Sequence, residues 1–450
     1  MSQEISLHEL DARRTDQISN ETNLAPVDTG FAAWSFLISA AMVEAVVWSI
    51  PFSYGILLDA YLQDAKITSQ PRASTLLPLV GTLSSGTIYC TGVIVYPYIA
   101  RYPAHRRPLM WVGTALCWIS LLASSYTHKV SELVFLQGVL YGLGGAVIYP
   151  PCISYMSEWF VRRRGFANSV LFAGTAATGL VLPFVIPPLL ESVGIAATLR
   201  ILSGMVLSLL LPALYYIRPR LPESRIHGPG RRTGALLGWA KDPSWWSLVV
   251  ANTIQGFAFF VPILWIPTFS SALGLDSSMS SLALALLNGS SALGPVVVGL
   301  LSDRFTPWPI ALLTATLSCI STFILWGVIG NVAGLMLFGA TYGLFAGGWS
   351  TLWSDFVQRI SKGEPSVAMS LYGFLMMTRG LGNVLCTPIS TSLANISGRG
   401  NSTIGGKGGF TVDQGRFEKL IIYVGACYAA VSLMALIGWL RELSYRARGA

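Results

Sequence analysis

Two ionisable side chains stand in stretches that are otherwise almost free of charge. Arg379 lies about 14 residues into the apolar run 366–393, and Glu44 lies about a dozen residues into the run 31–57. At about 1.5 Å per helical residue, Arg379 sits about 20 Å from the near end of its run, too deep for its side chain to reach water easily. A guanidinium stays charged and grips a carboxylate with two parallel hydrogen bonds. Arg379 is therefore read either as an anion-recognition or charge-coupling residue, or as a structural partner of backbone carbonyls or an acid. Glu44 is read either as a group that takes up and releases a proton as its access to the two sides alternates, or as a protonated or hydrogen-bonded structural acid. An ion pair between the two is a further reading. On insertion scales a charge at the centre of a membrane helix costs about 2.5–3.5 kcal/mol, so such residues face a cavity or a partner.

The elements that must hold them are long apolar segments. Only 11% of the 450 residues are charged and 53% are hydrophobic, against about 25% charged in an ordinary soluble protein. The mean hydropathy of +0.58 agrees. Runs of about 20 apolar residues, enough to cross roughly 30 Å of hydrocarbon, recur at 31–57, 73–99, 108–126, 131–156, 165–190, 195–217, 244–270, 278–302, 308–329, 332–356, 366–393 and 419–440. The expected fold class is an all-α polytopic membrane protein, with about twelve transmembrane helices in two six-helix bundles.

Lys and Arg crowd into alternate gaps. With the N-terminus inside, 20 of the 29 basic residues fall in the inner gaps and tails; this predicts both termini in the cytosol. The net charge of +8 belongs to these loops and does not indicate nucleic acid. The longest inner gap holds Pro219, Pro222, Gly228, Pro229 and Gly230 and divides the spans six and six. The predicted organisation is a cytosolic tail 1–28, a bundle 29–217, a linker 218–243, a bundle 244–441 and a cytosolic tail 442–450. The tail 1–28 lacks the apolar core of a cleavable signal and reads as disordered. Two six-span halves are the architecture of many secondary transporters, whose site lies between them near mid-membrane.

Several chemistries have no residues to carry them. There is no phosphate-binding Gly-x-x-x-x-Gly-Lys-Ser/Thr loop, so an ATP-driven pump is disfavoured. The four histidines, His8, His105, His128 and His227, form no metal-ligand cluster. The six cysteines sit in or beside apolar runs without paired spacing and read as small buried hydrophobes. No nucleophile elbow is present. The chain is expected not to be an enzyme and to need no cofactor or metal.

Asp28-Thr29-Gly30-Phe31-Ala32-Ala33-Trp34 resembles the acidic–glycine–aromatic signature that opens the first span of monocarboxylate transporters, within the major facilitator superfamily. The resemblance continues at Ser53-Tyr54-Gly55. It is strongest from Tyr141-Gly142-Leu143-Gly144-Gly145 through Glu158-Trp159-Phe160 to Arg162-Arg163-Arg164-Gly165-Phe166-Ala167, then Ala173-Gly174 and Gly179. Gly299-Leu300-Leu301-Ser302-Asp303-Arg304 is similar to the superfamily's loop motif after the eighth span. Arg101-Tyr102-Pro103, Arg106-Arg107-Pro108 and Arg379-Gly380-Leu381-Gly382-Asn383 are in the style of the fungal branch, many of whose members accompany secondary-metabolite gene clusters. The chain departs from the family at Ala100, where the superfamily usually has an acid. It departs from the lactate carriers at Phe52, where they have a lysine, and over Asn288–Pro295, where their Asp and Arg are missing. The lactate mechanism is not carried over, and a larger, less polar cargo is expected.

The resemblance implies that the first, fourth, seventh and tenth spans line a cavity. Gln137 and Tyr141, Asn252 and Gln255, and Tyr342, Trp349 and Trp353 are then candidates for substrate contacts, each with packing or interfacial anchoring as its alternative. It further implies a gate contact at Asp303 and Arg304, with headgroup anchoring as the alternative. Asn401-Ser402-Thr403 is an acceptor pattern for glycosylation on the predicted outer side; Asn20-Glu21-Thr22 fits it too but falls on the inner tail. The functional expectation is a carrier in the cell membrane, facilitative or proton-linked. It would move a small organic anion or carboxylated metabolite by alternating access, with export of a biosynthetic-cluster product at least as favoured as uptake. The rival is a non-transporting nutrient sensor on the same fold, disfavoured by short predicted tails.

Overall fold

A computed structural model describes residues 25–161, 163–221, 239–240, 242–302, 304–329, 331–361, 365–397 and 408–449. Much of the predicted N-terminal tail and linker, together with Asp303 and Asn401, lies outside them. The described chain is almost entirely helical. The long helices are α1 (Gly30–Gln63), α2 (Leu79–Arg101), α3 (Arg106–Ser124), α4 (130–159), α5 (164–193), α6 (195–216), α7 (Pro243–Ala272), α8 (Ser277–Ser302), α9 (Pro307–Ile329), α10 (Val332–Ser361), α11 (Pro365–Ser397) and α12 (Glu418–Gly449).

Among the described residues, nine helical stretches are individually long and apolar enough to cross a bilayer. One of these bends at Gly194, where φ is +77°, and so provides both α5 and α6. The more polar α3 and α11 pack among the others. Helix starts follow local chemistry. Asp242 accepts from Ser244 N at 2.9 Å with Pro243 in the first turn of α7, and Asn331 accepts from Gly334 N at 2.8 Å ahead of α10. Such caps satisfy amides that have no partner inside the helix. In α4 and α9 the segments Val134–Leu140 and Thr322–Ile329 are wound as wide π turns.

Helices α1–α6 and α7–α12 form two six-helix bundles. They meet along α2 with α11, α5 with α8, and α1 with α7. Large apolar side chains point outward, Ile94 at 69% and Leu300 at 65% exposure among them. That is the surface expected where the surrounding solvent is hydrocarbon.

The bundles are tied at one end. Ser271 donates to Asp59 (3.1 Å) between α7 and α1, Ser277 donates to Glu191 (3.1 Å) between α8 and α5, and Thr82 is bonded to Thr387 between α2 and α11. Asn288 of α8 donates to Phe52 O (3.1 Å) and Gly179 O (3.3 Å). The opposite end of the first bundle has its own clamp. Arg106 pairs with Glu158 at 2.7 Å, both nearly buried, and Glu158 also accepts from the backbone N–H groups of Arg220 and Leu221. Asp28 accepts from Val161 N and Arg163 N. The signature acids Asp28 and Glu158 thus fasten the start of α1, the α4–α5 turn and the end of α6 together.

Candidate functional site

Arg379 is held in place by two close helix approaches. A Cβ on Gly380 would stand 3.1 Å from Gly86 O of α2, and a Cβ on Gly382 would stand 2.8 Å from Thr253 O of α7. Glycine at both positions lets α11 touch α2 and α7 at once, which turns Arg379 into the space between the bundles.

Arg379 is 2% exposed. Nη1 donates to Gln255 Oε1 at 2.8 Å, the Tyr89 side chain abuts the guanidinium, and among the described residues Nε has no well-aligned hydrogen-bond partner. The guanidinium carbon lies 4.4 Å from the Phe259 ring centroid, 5.7 Å from that of Trp353 and 5.8 Å from that of Tyr89. Among the described residues no carboxylate forms an ion pair with it. Ring faces offset part of the cost of a buried cation, by about 2 kcal/mol for a well-placed desolvated contact. They do not neutralise it.

Glu44 lies in the other bundle. Thr175 of α5 donates to Glu44 Oε1 at 3.0 Å. The Trp48 side chain abuts the same carboxyl, and Oε2 has no well-aligned partner. Trp48 in turn packs on Tyr89 with ring centroids 5.0 Å apart. Glu44 and Arg379 therefore flank a shared aromatic wall without forming the ion pair that was one reading of the sequence. Beside that wall a cleft with only about 10 Å³ of free space is lined by Trp48, Tyr89, Tyr96, Tyr149, Pro150 and Met376, among others. Sites for organic ligands usually enclose about 300–1,000 Å³, so the cleft is contracted in this state.

The other candidates fall into distinct groups. Gln255 touches Arg379 directly and, through long bonds, Tyr428 OH (3.5 Å) and Ala346 O (3.4 Å). Tyr342 continues this chain, with its hydroxyl 3.1 Å from that of Tyr428. Asn252 is fully engaged: its amide nitrogen donates to Leu375 O and Thr378 Oγ1, and its oxygen accepts from the indoles of both Trp349 and Trp353 at 3.0 Å. These three residues lock α7, α10 and α11 together, although Trp353 still presents a ring to Arg379. Gln137 donates to Tyr61 OH at 2.8 Å, and Tyr141 bonds Ser49 and Val46 O, so both tie α4 to α1. Arg304 is exposed in the turn between α8 and α9.

Sequence reasoning passed over Tyr89, Phe259, Trp48, Thr175 and Asn383 as site residues. The first four carry no signal beyond being aromatic or hydroxylated in an apolar span. Asn383 did carry one: it lies four residues, about one helical turn, beyond Arg379 and so shares its face.

Comparison with known proteins agrees with this architecture. The sequence profile of the Major Facilitator Superfamily matches residues 29–387. The chain is 26% identical over 289 residues to the MFS-type transporter pytF of Aspergillus terreus, covering 64% of this chain and 95% of that one. It is 25% identical to the MFS transporter asaE of Aspergillus flavus, covering 83% of each. It is 23% identical to the aspyridones efflux protein apdF of Emericella nidulans, covering 82% of this chain and 73% of that one. In three dimensions it superposes on the nucleoside transporter NupG with a TM-score of 0.66 at 13% identity, covering 91% of this chain and 99% of that one. The helix order, the paired bundles and the matching profile together make this chain a member of the Major Facilitator Superfamily of membrane transporters.

Proposed function

We propose that this transporter moves an organic anion, a carboxylated secondary metabolite, across the cell membrane by alternating access, and that it works in export. The observation that carries the reading is Arg379: a buried, permanent cation where the bundles face each other, with no carboxylate paired to it among the described residues and three aromatic rings around it. A cargo carboxylate would neutralise the guanidinium, and an apolar body would lie against the rings. Glu44 would carry the coupling proton, because its carboxyl opens on the same aromatic wall from the other bundle. The moving bodies would be residues 29–217 and 244–441, and both termini would face the cytosol. The ties at the α1–α2 end and the small cleft suit a state closed on the outer side. The efflux protein among the relatives supports export.

Flux of radiolabelled organic acids in proteoliposomes, with and without an imposed pH gradient, tests the reading. Uptake that depends on Arg379 and responds to the gradient is expected. Correctly inserted protein that moves no organic acid overturns it, and ligand binding without flux would instead favour a sensor.

A further inference from the structure

Asn383 of α11 carries hydrogen-bonding capacity that the fold leaves unused. It is completely buried, and neither amide atom has a hydrogen-bond partner among the described residues. Native interiors rarely leave a side-chain amide so, and each one that persists calls for a structural or functional reason.

The contacts of α11 fix which way it faces. Leu381 and Leu385 are about half exposed and mark the outer face. Gly380 and Val384 abut Gly86 of α2, and Thr387 bonds Thr82 of α2. Gly382 abuts Thr253 and Gly256 of α7. At 3.6 residues per turn, Asn383 falls on the arc between the α2-facing and α7-facing residues, opposite the outer leucines. Arg379 occupies that arc one turn, about 6 Å, away. Its Nε, which also has no aligned partner among the described residues, is the nearest unused donor on the same helix face.

We infer that Asn383 is a specificity-determining residue. It receives a group that both accepts and donates a hydrogen bond, such as an amide, a lactam or an undissociated acid, about one helical turn from the carboxylate held by Arg379. The inference rests on the anion reading of Arg379 and narrows the cargo to acids with a second, bidentate polar function. An asparagine matches such a group because Oδ1 accepts and Nδ2 donates side by side. An anion lacking that group would leave both Asn383 atoms unpaired, which is how polar pockets reject apolar analogues.

Two probes separate the possibilities. In 4-carbamoylbenzoate a carboxylate and an amide stand at opposite ends of one ring. In 4-isopropylbenzoate two methyl groups replace the amide oxygen and nitrogen. Binding to the full-length protein in lipid nanodiscs is measured by titration calorimetry. Wild type is expected to bind the carbamoyl probe about tenfold or more tightly. Asn383→Leu should abolish that preference, keep binding of the isopropyl probe, and raise the melting temperature of the ligand-free protein. Asn383→Ala, which adds no bulk, should abolish the preference too. Arg379→Gln should weaken both probes. A preference that survives in either Asn383 variant, an equal loss of both probes in those variants, or wild type that binds neither probe overturns the assignment. Equal, Arg379-dependent binding of both probes also overturns it while leaving the anion reading intact. Discriminating binding that ignores Arg379→Gln would sink the anion reading on which the assignment rests.

Discussion

Replacing Arg379 with glutamine removes a cation but keeps an amide that still reaches toward Gln255. In the ligand-free protein the change deletes one charge-assisted bond of 2.8 Å and three cation–ring contacts. It also relieves a buried charge that no acid among the described residues pairs with, and such replacements are often neutral or stabilising. Thermal stability in detergent should therefore hold or rise. Binding should behave otherwise, since losing one partner of a buried, hydrogen-bonded charge pair costs about 2–5 kcal/mol. At about 1.4 kcal/mol per tenfold, the affinity for an organic anion falls roughly 30-fold to several thousandfold. Arg379→Lys should land between, because it keeps the charge and loses the two-pronged geometry. The assays are melting curves for folding and proteoliposome flux for function. A variant that melts far below wild type would mean that Arg379 is a structural post, and unchanged flux would remove it from the site.

Glu44→Gln should abolish the response of flux to a pH gradient while leaving exchange of labelled for unlabelled anion; a gradient response that persists would exclude Glu44 as the coupling group. Arg106→Met should lower the melting temperature, because an orphaned Glu158 in a buried pair costs about 3–5 kcal/mol; the double change with Glu158→Leu should recover most of it, and failure to recover would mean that the clamp depends on more than charge. Asp59→Cys with Ser271→Cys should permit an oxidative cross-link between α1 and α7 that halts flux until reduced; continued flux with the link formed would show that this end need not open.

The spans were legible because hydropathy over twenty residues is a local property. The breaks were legible too: the boundary expected near residue 190–195 is the bend at Gly194. Arg379 and Glu44 stood out because charge is expensive where the neighbours are apolar. Their surroundings were not legible. Whether Asn252 would face a cargo or bind two indoles depends on which residues of α10 and α11 arrive beside it, more than ninety positions away in sequence. The same holds for Phe259 and Tyr89, which matter only because α7 and α2 bring them to one guanidinium. Asp28 and Glu158 were recognised as a signature, yet the reason for the acids, a set of backbone N–H groups and one buried arginine, needed the folded chain.

The Asn252 knot has a mechanical consequence. With one amide gripping two indoles and two points on α11, α7, α10 and α11 resist sliding past one another at that level and tend to move together. If the fulcrum is the Thr82–Thr387 contact, Arg379 stands eight residues along the lever, about 12 Å, and the far tip of α11 near Pro365 about 33 Å. A swing of roughly 10° then shifts Arg379 by only about 2 Å but the tip by about 6 Å. On the proposed reading, the grip on a cargo would loosen slightly while the doorway opened wide, so release could precede any large disturbance of the charge at the centre.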